Sequence, residues 1–283
     1  MRELNAIYNP LTATPFVGDD YYREYEPCEA LKPYVRCFWG SRRPYVTGEN
    51  KGTGGLVIPD TCMDLIFDVN FTENRIESGF CGIDDVSFFS EGKGGRCCEI
   101  STFAIRFYAW SAVLFSEESM RNVRNGFFDA GEHFSHIKKE ILPLLFDFTK
   151  MEERIPLVEA ILLKHLRLQR KNRIFTDCTA ELLKHRGNLR MDSLASEVHV
   201  STRQIERVFG EYMGLTPKSF ACLVRYQSVW RDALYRKDFN LLDAVSEFGY
   251  TDQAHLLHDF KKYHGVTLRE AVASARKDVG FLQ

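Results

Sequence analysis

Apolar residues follow two different rhythms along this chain of 283 residues. Up to about residue 110 they come in short runs: YVRCFWG (34–40), GLVIPD (55–60), MDLIFDVNF (63–71), RIESGFCGI (75–83) and STFAIRFYAW (101–110). Runs of this length, rich in β-branched and aromatic residues, predict strands. The Gly-rich stretches TGENKGTGG (47–55) and EGKGGR (91–96) predict loops between them. Several short strands at this spacing predict a small β-barrel or sandwich.

From about residue 111 the apolar positions recur at helical spacing. EHFSHIKKEILPLLFDF (132–148) and RIPLVEAILLKHLRLQ (154–169) predict helices. In the second, Ile155, Val158, Leu162 and Leu166 share a face, with Ile161 and His165 alongside. Such a stripe serves core packing or, alternatively, a homodimer seam. QRKNRI (169–174) is a short linker, and a domain boundary is expected at 172/173.

Seven helical segments follow. TDCTAELLKHRG (176–187) stops at Gly187, and MDSLASEV (191–198) is short. Ser201 and Gln204 form an S-x-x-Q capping pattern that opens TRQIERVFGEYMG. Thr216 and Pro217 open a long helix, where proline at the first position sacrifices no hydrogen bond. NLLDAVSEF (240–248) is stopped by Gly249, QAHLLHDFKKYH is capped by Thr251 or Asp252 and stopped by Gly265, and TLREAVASAR is last.

Two of these stretches share one plan of short helix, tight turn and capped second helix: MDSLASEVHVSTRQIERVFGEYMG and LLDAVSEFGYTDQAHLLHDFKKYHG. In the second helices Ile205 and Phe209, and likewise Leu256 and Phe260, are four apart and point to the core. Thr202, Arg203, Glu206 and Arg207 are left facing outward in the first unit; Gln253, Ala254, Leu257 and His258 do so in the second, with His255 at the edge. Helix-turn-helix units lay such a face in the DNA major groove. Arg203 and Arg207 suit guanine, Glu206 suits cytosine, Gln253 suits adenine and Leu257 a thymine methyl. His258 would reach a base or phosphate. Lys218, Lys261, Lys262 and Arg225 suit phosphate contacts or surface structure.

This region resembles the AraC/XylS-type transcription activators. The resemblance rests on SLASEVHVSTRQIERVFGEYMGLTPKSF, on Arg225, on Ala233 and Leu234, and on FGYTDQAHLLHDFKKYHGVT, and spans roughly residues 173–275. Ser246, Leu256, His258 and Leu268 stand where the family usually has Ala, Phe, Arg and Pro. The resemblance implies two recognition helices held by a linking helix. Residues 217 to about 235 would run about 29 Å at 1.5 Å per residue, close to the roughly 34 Å between successive major-groove faces.

The N-terminal region resembles the cupin-like sensor domain of some regulators of this family, through LKPYVRCFWG, VIPDTCMDLIFDV, FCGI and FAIRFYAWSAVLF. A barrel mouth is a natural pocket, and Trp39, Phe67, Arg106, Tyr108 and Trp110 are candidates to line an effector site, against the alternative of core or rim aromatics. No H-x-H motif of metal-binding cupins is present. The expected fold is therefore α+β in two domains. Residues 1–172 form a β-barrel, cupin-like sensor and dimerisation domain with helices from about 111, and residues 173–283 an all-α double helix-turn-helix domain.

Charge adds little. The whole chain carries a formal −2, while residues 173–283 hold 16 Lys and Arg against 14 Asp and Glu, a weak bias of the sign DNA binding needs. No apolar run reaches membrane-spanning length and the N-terminus lacks a signal-peptide core, so a cytoplasmic protein is expected. The eight cysteines show no zinc-ligand spacing and read as reduced thiols. His255, His258 and His264 crowd one segment, but no third and fourth ligand converges there, so neither metal nor cofactor is expected. His264, just before Gly265, would suit a helix C-terminus as a partly positive group.

The leading reading is a non-enzymatic regulator that binds double-stranded promoter DNA under control of a small-molecule effector, with RNA polymerase as a further partner. The alternatives are a DNA-repair or modifying enzyme with a reactive cysteine, for which Cys97 after Arg96 is the one faint match, and a redox- or metal-sensing regulator in which Cys97 and Cys98 would act.

Overall fold

The computed structural model describes residues 4–11, 21–47, 55–90 and 97–279. Most of the expected loop at 47–55, the whole of EGKGGR with Arg96, and residues 280–283 of the expected C-terminal domain lie outside them. The N-terminal half contains α1 (Leu4–Ile7), β1 (Arg23–Tyr25), β2 (Val35–Gly40), β3 (Tyr45–Val46), β4 (Leu56–Val57), β5 (Cys62–Asn70), β6 (Arg75–Cys81), β7 (Phe88–Phe89), β8 (Glu99–Tyr108) and β9 (Phe127–Asp129). Two longer helices follow, α2 (Ala130–Asp147) and α3 (Met151–His165).

The main sheet is antiparallel in the order β1-β2-β8-β5-β6-β9, with β3 also paired to β8; β4 and β7 pair separately. Along β5, Met63, Leu65, Phe67 and Val69 are buried, while Asp64, Ile66, Asp68 and Asn70 on the other face are partly covered, the period of two that a half-buried strand dictates. On the buried face α2 lies against the sheet: Phe134 stacks on Phe107 with ring centroids 5.8 Å apart and meets Phe80 edge-on at 4.9 Å.

Arg154 ties these layers together. Its fully buried guanidinium donates to the carbonyls of Phe148 and Leu145, both at 2.7 Å, and to Ser101 Oγ on β8 at 2.9 Å. The last carbonyls of a helix have no partner within it, and Arg154 supplies one while joining α2 to the sheet. Burial pushes this guanidinium down to about 10. Val158, Ile161 and Leu162 of the α3 stripe are buried within the chain, so that stripe serves the core rather than a dimer seam.

The C-terminal half is helical: α4 (Arg173–Lys184), α5 (Met191–Glu197), α6 (Thr202–Met213), α7 (Pro217–Tyr235), α8 (Leu241–Glu247), α9 (Gln253–His264) and α10 (Leu268–Val279). Polar side chains set the starts. Asn172, Ser201, Thr216, Asn240 and Asp252 each accept from a backbone N–H in the first turn of α4, α6, α7, α8 and α9, each such cap being worth about 1 kcal/mol. Of the two candidate caps for α9, Asp252 is the one used. Gly214 and Gly265 end α6 and α9 in the left-handed conformation.

The two halves share one continuous core. Their junction is held by Gln227 of α7, only 1% exposed. Its Oε1 accepts from Leu11 N at 2.9 Å, and its Nε2 donates to the carbonyls of Pro59 at 2.6 Å and Leu11 at 3.3 Å. Nearby, Met120 N donates to the Glu211 carbonyl at 2.8 Å and Tyr212 Oη to the Arg170 carbonyl at 2.8 Å.

Candidate nucleic-acid interface

Helices α5–α6 and α8–α9 form the two helix-turn-helix units, joined by α7. The 19 residues of α7 correspond to about 29 Å of helix. In α6, Ile205, Val208 and Phe209 are buried, while Thr202, Arg203, Glu206 and Arg207 are exposed. In α9, Leu256 and Phe260 are buried, and Gln253, Ala254, Leu257 and His258 are exposed. Lys218, Lys261 and Lys262 are exposed as well. Both faces stay open to solvent with the N-terminal half docked. Arg207 makes only a loose surface pair with Glu211 at 3.5 Å, which leaves its guanidinium available to a base edge.

Arg225 differs from Lys218, Lys261 and Lys262, which are exposed. It is part-buried, pairs with Asp259 at 3.4 Å and sits 4.3 Å above the Tyr250 ring. It therefore locks α7 to α9 and sets the second unit's orientation.

The three histidines separate. His255 is exposed; its ring meets Tyr250 at 5.2 Å and its Nδ1 accepts from Thr251 N at 3.4 Å. His258 lies on the outward face. His264 is not the partly charged helix-end group that its place before Gly265 suggests. It is buried, and burial pushes its imidazole down to about 4. Its Nδ1 lies 2.8 Å from Tyr226 Oη, and it packs against Trp230 and Phe260.

The five effector candidates do not converge on one cavity. Phe67 is fully buried on the core face of β5. Arg106 and Trp39 belong to the opposite face, where Arg106 is held by Asp64 through two hydrogen bonds at 2.9 and 3.1 Å, and Trp39 Nε1 donates to the same carboxylate at 2.8 Å. Asp60 beside them is pushed up to about 6 by burial, against the pull of Arg106. Arg106 Nη1 and Asp60 Oδ2 are buried without a hydrogen-bond partner. Tyr108 stacks on Trp110 at 4.5 Å, and Trp110 alone of the five lines a cleft of about 350 Å³ between the halves. Tyr34 and Leu114 line it from one side, Lys171, Phe175 and Tyr212 from the other. The sequence gives no sign of this cleft, because its walls come from segments far apart in the chain.

All eight cysteines are free thiols. Burial raises those of Cys37, Cys62, Cys81 and Cys178, the last to about 12. Cys97 is exposed and Cys98 partly buried.

Residues 194–274 match the family described as helix-turn-helix domain, and residues 23–129 match a domain of unknown function, DUF6597. Residues 194–274 thus carry a helix-turn-helix domain. Among solved structures, the chain is similar to a transcriptional regulator with an AraC-type DNA-binding domain from Chromobacterium violaceum, at 22% identity and TM-score 0.33, over 36% of this chain and 91% of that one. It is also similar to ToxT from Vibrio cholerae, at 12% identity and TM-score 0.37, over 83% and 98% of the two chains. A further ToxT structure with bound unsaturated fatty acid aligns at 9% identity and TM-score 0.37, over 83% and 94%. No curated protein matches the chain. Among the described residues, no helix is long and apolar enough to cross a membrane.

Proposed function

We propose that this chain is a sequence-specific DNA-binding transcription regulator whose N-terminal half controls the helix-turn-helix domain in response to a small molecule. The observation that carries the reading is the pair of exposed faces, Thr202/Arg203/Glu206/Arg207 and Gln253/Ala254/Leu257/His258, presented by two capped helices from one linking helix. Residues 1–172 act as the sensor and 173–283 as the DNA reader; the start of α4 at Arg173 supports that division. The regulator works in the cytoplasm on promoter DNA, with RNA polymerase as its downstream partner.

For effector control, the cleft between the halves supports the reading better than the barrel candidates do. It is lined by Trp110 and Tyr34 on the sensor side and by Tyr212 at the end of α6 on the reader side. A molecule seated there touches both halves, so it would bind their two relative arrangements with different affinity, which is what shifting an equilibrium requires.

Genome-wide mapping of bound sites, followed by footprinting on the recovered promoters, tests the DNA reading. Protection is expected in two successive major grooves, about one helical turn apart. Recovery of no reproducible site, or protection that ignores sequence, would reject it.

A further inference from the structure

Glu181 and His185 lie one turn apart at the end of α4, on one face of that helix. Glu197, the last residue of α5, comes up beside them. One ligand atom from each of these three side chains lies within 4.8 Å of the others. We propose that this cluster binds a zinc-like first-row divalent cation, which clips α4 to the first helix-turn-helix unit.

The donor set argues for that class of ion. Calcium and magnesium favour all-oxygen shells, whereas an imidazole nitrogen with carboxylates suits zinc and its neighbours in the first transition row. Three protein ligands leave further positions to water, as in open zinc sites. Lys184 Nζ sits 2.8 Å from one Glu181 oxygen, a pair that a bound cation would displace, since an exposed lysine can swing away.

The ligands stand on fixed backbone. His185 caps α4, with its N–H on the Glu181 carbonyl at 3.1 Å. The chain then turns through left-handed Arg186 and Gly187, and Gly187 packs directly against the backbone of α7. At Glu197 the end of α5 is closed by Val198 N donating to the Leu194 carbonyl at 3.1 Å. The cation would therefore join two elements that are already positioned. α4 begins at the junction between the halves, while α5 supports the α6 reading helix. Occupancy would stiffen that connection.

Titration of zinc chloride into metal-stripped full-length protein, followed by calorimetry, tests this. The parent is expected to bind one equivalent that His185→Ala and Glu197→Gln each weaken by about tenfold or more, while His258→Ala and Cys97→Ser leave it intact. His185 and Glu197 are exposed, so both variants should fold, and far-ultraviolet circular dichroism checks that they do. Cobalt in place of zinc should give a spectrum without a thiolate-to-metal charge-transfer band. The assignment is overturned if the parent binds no zinc, if His185→Ala binds it as tightly as the parent, or if the cobalt spectrum carries a thiolate band that Cys97→Ser removes.

Discussion

The Gln227 carboxamide on the linking helix donates to the carbonyl oxygen of Pro59, at 2.6 Å, in the opposite half of the chain. With its two bonds to Leu11, this side chain pairs with three buried backbone groups of the N-terminal half. Pro59 directly precedes Asp60, which lies 3.5 Å from Arg106. Thr61, next along, holds φ at 60°, a conformation that a β-branched residue adopts only under constraint. The short segment 59–62 thus links the polar face of the sheet to the helix that joins the two helix-turn-helix units.

Gln227→Leu keeps the volume but removes all three hydrogen bonds. It is expected to lower unfolding free energy by about 1–3 kcal/mol, the range for stranding buried polar groups. Because those groups lie at the junction, trypsin should also cut sooner at Arg167, Arg170 and Lys171. Urea unfolding measures the first effect and timed proteolysis the second. Parent-like values in both would show that the junction does not depend on this side chain.

The buried His264 gives stability a defined pH dependence. Packed against Trp230 and Phe260, with Tyr226 Oη beside its Nδ1, it stays neutral in the folded chain down to about pH 4. In the unfolded chain it takes up a proton below about pH 6.5. The folded state therefore keeps its full stability above about pH 6.5 and loses it progressively down to pH 4, reaching about 2 kcal/mol by pH 5. His264→Gln should remove that part of the loss. Urea melts of parent and variant at pH 7 and pH 5 decide the matter, and equal losses in both would disprove it.

Gly187 lies where a side chain has no room. Its φ is +76°, and an added Cβ would come 2.1 Å from the Ala221 carbonyl oxygen on α7. Gly187→Ala must therefore move α4 away from α7 as well as strain the turn, and a loss of about 1–3 kcal/mol is expected. Thermal unfolding checks this, and an unchanged midpoint would mean that the turn relaxes freely.

The C-terminal half was legible in the sequence because local rules decide it. Caps at Ser201, Thr216 and Asp252 and the stop at Gly265 are written in adjacent residues, and the spacing of Ile205 with Phe209 and of Leu256 with Phe260 fixes which face turns outward. The strands at 34–40, 63–71, 75–83 and 101–110 were equally plain. What could not be read depends on contacts between distant segments. β9 is three residues long and exists by pairing with β6. Nothing local marks Arg154, the first residue of the predicted helix 154–169, as a side chain that reaches Ser101 across the fold. His264 looked like a helix-end cation until α7 closed over it. The Glu181–His185 spacing was visible, but Glu197 reaches the pair only through the turn at Gly187.

Arg203 and Arg207 provide the most direct test of the DNA-reading face. Both are exposed on α6, one turn apart, so they can reach neighbouring base edges within one groove. If each pairs with a guanine, Arg203→Ala and Arg207→Ala will each weaken binding to the cognate site by about 1–3 kcal/mol and relax discrimination at one base position. Lys218→Ala, Lys261→Ala and Lys262→Ala should behave differently, weakening cognate and random DNA alike and reducing the salt slope by about one unit each. Gel-shift titrations at several salt concentrations separate the two patterns. If both arginine variants bind the native promoter as tightly as the parent, with unaltered base preference, α6 does not read sequence through this face.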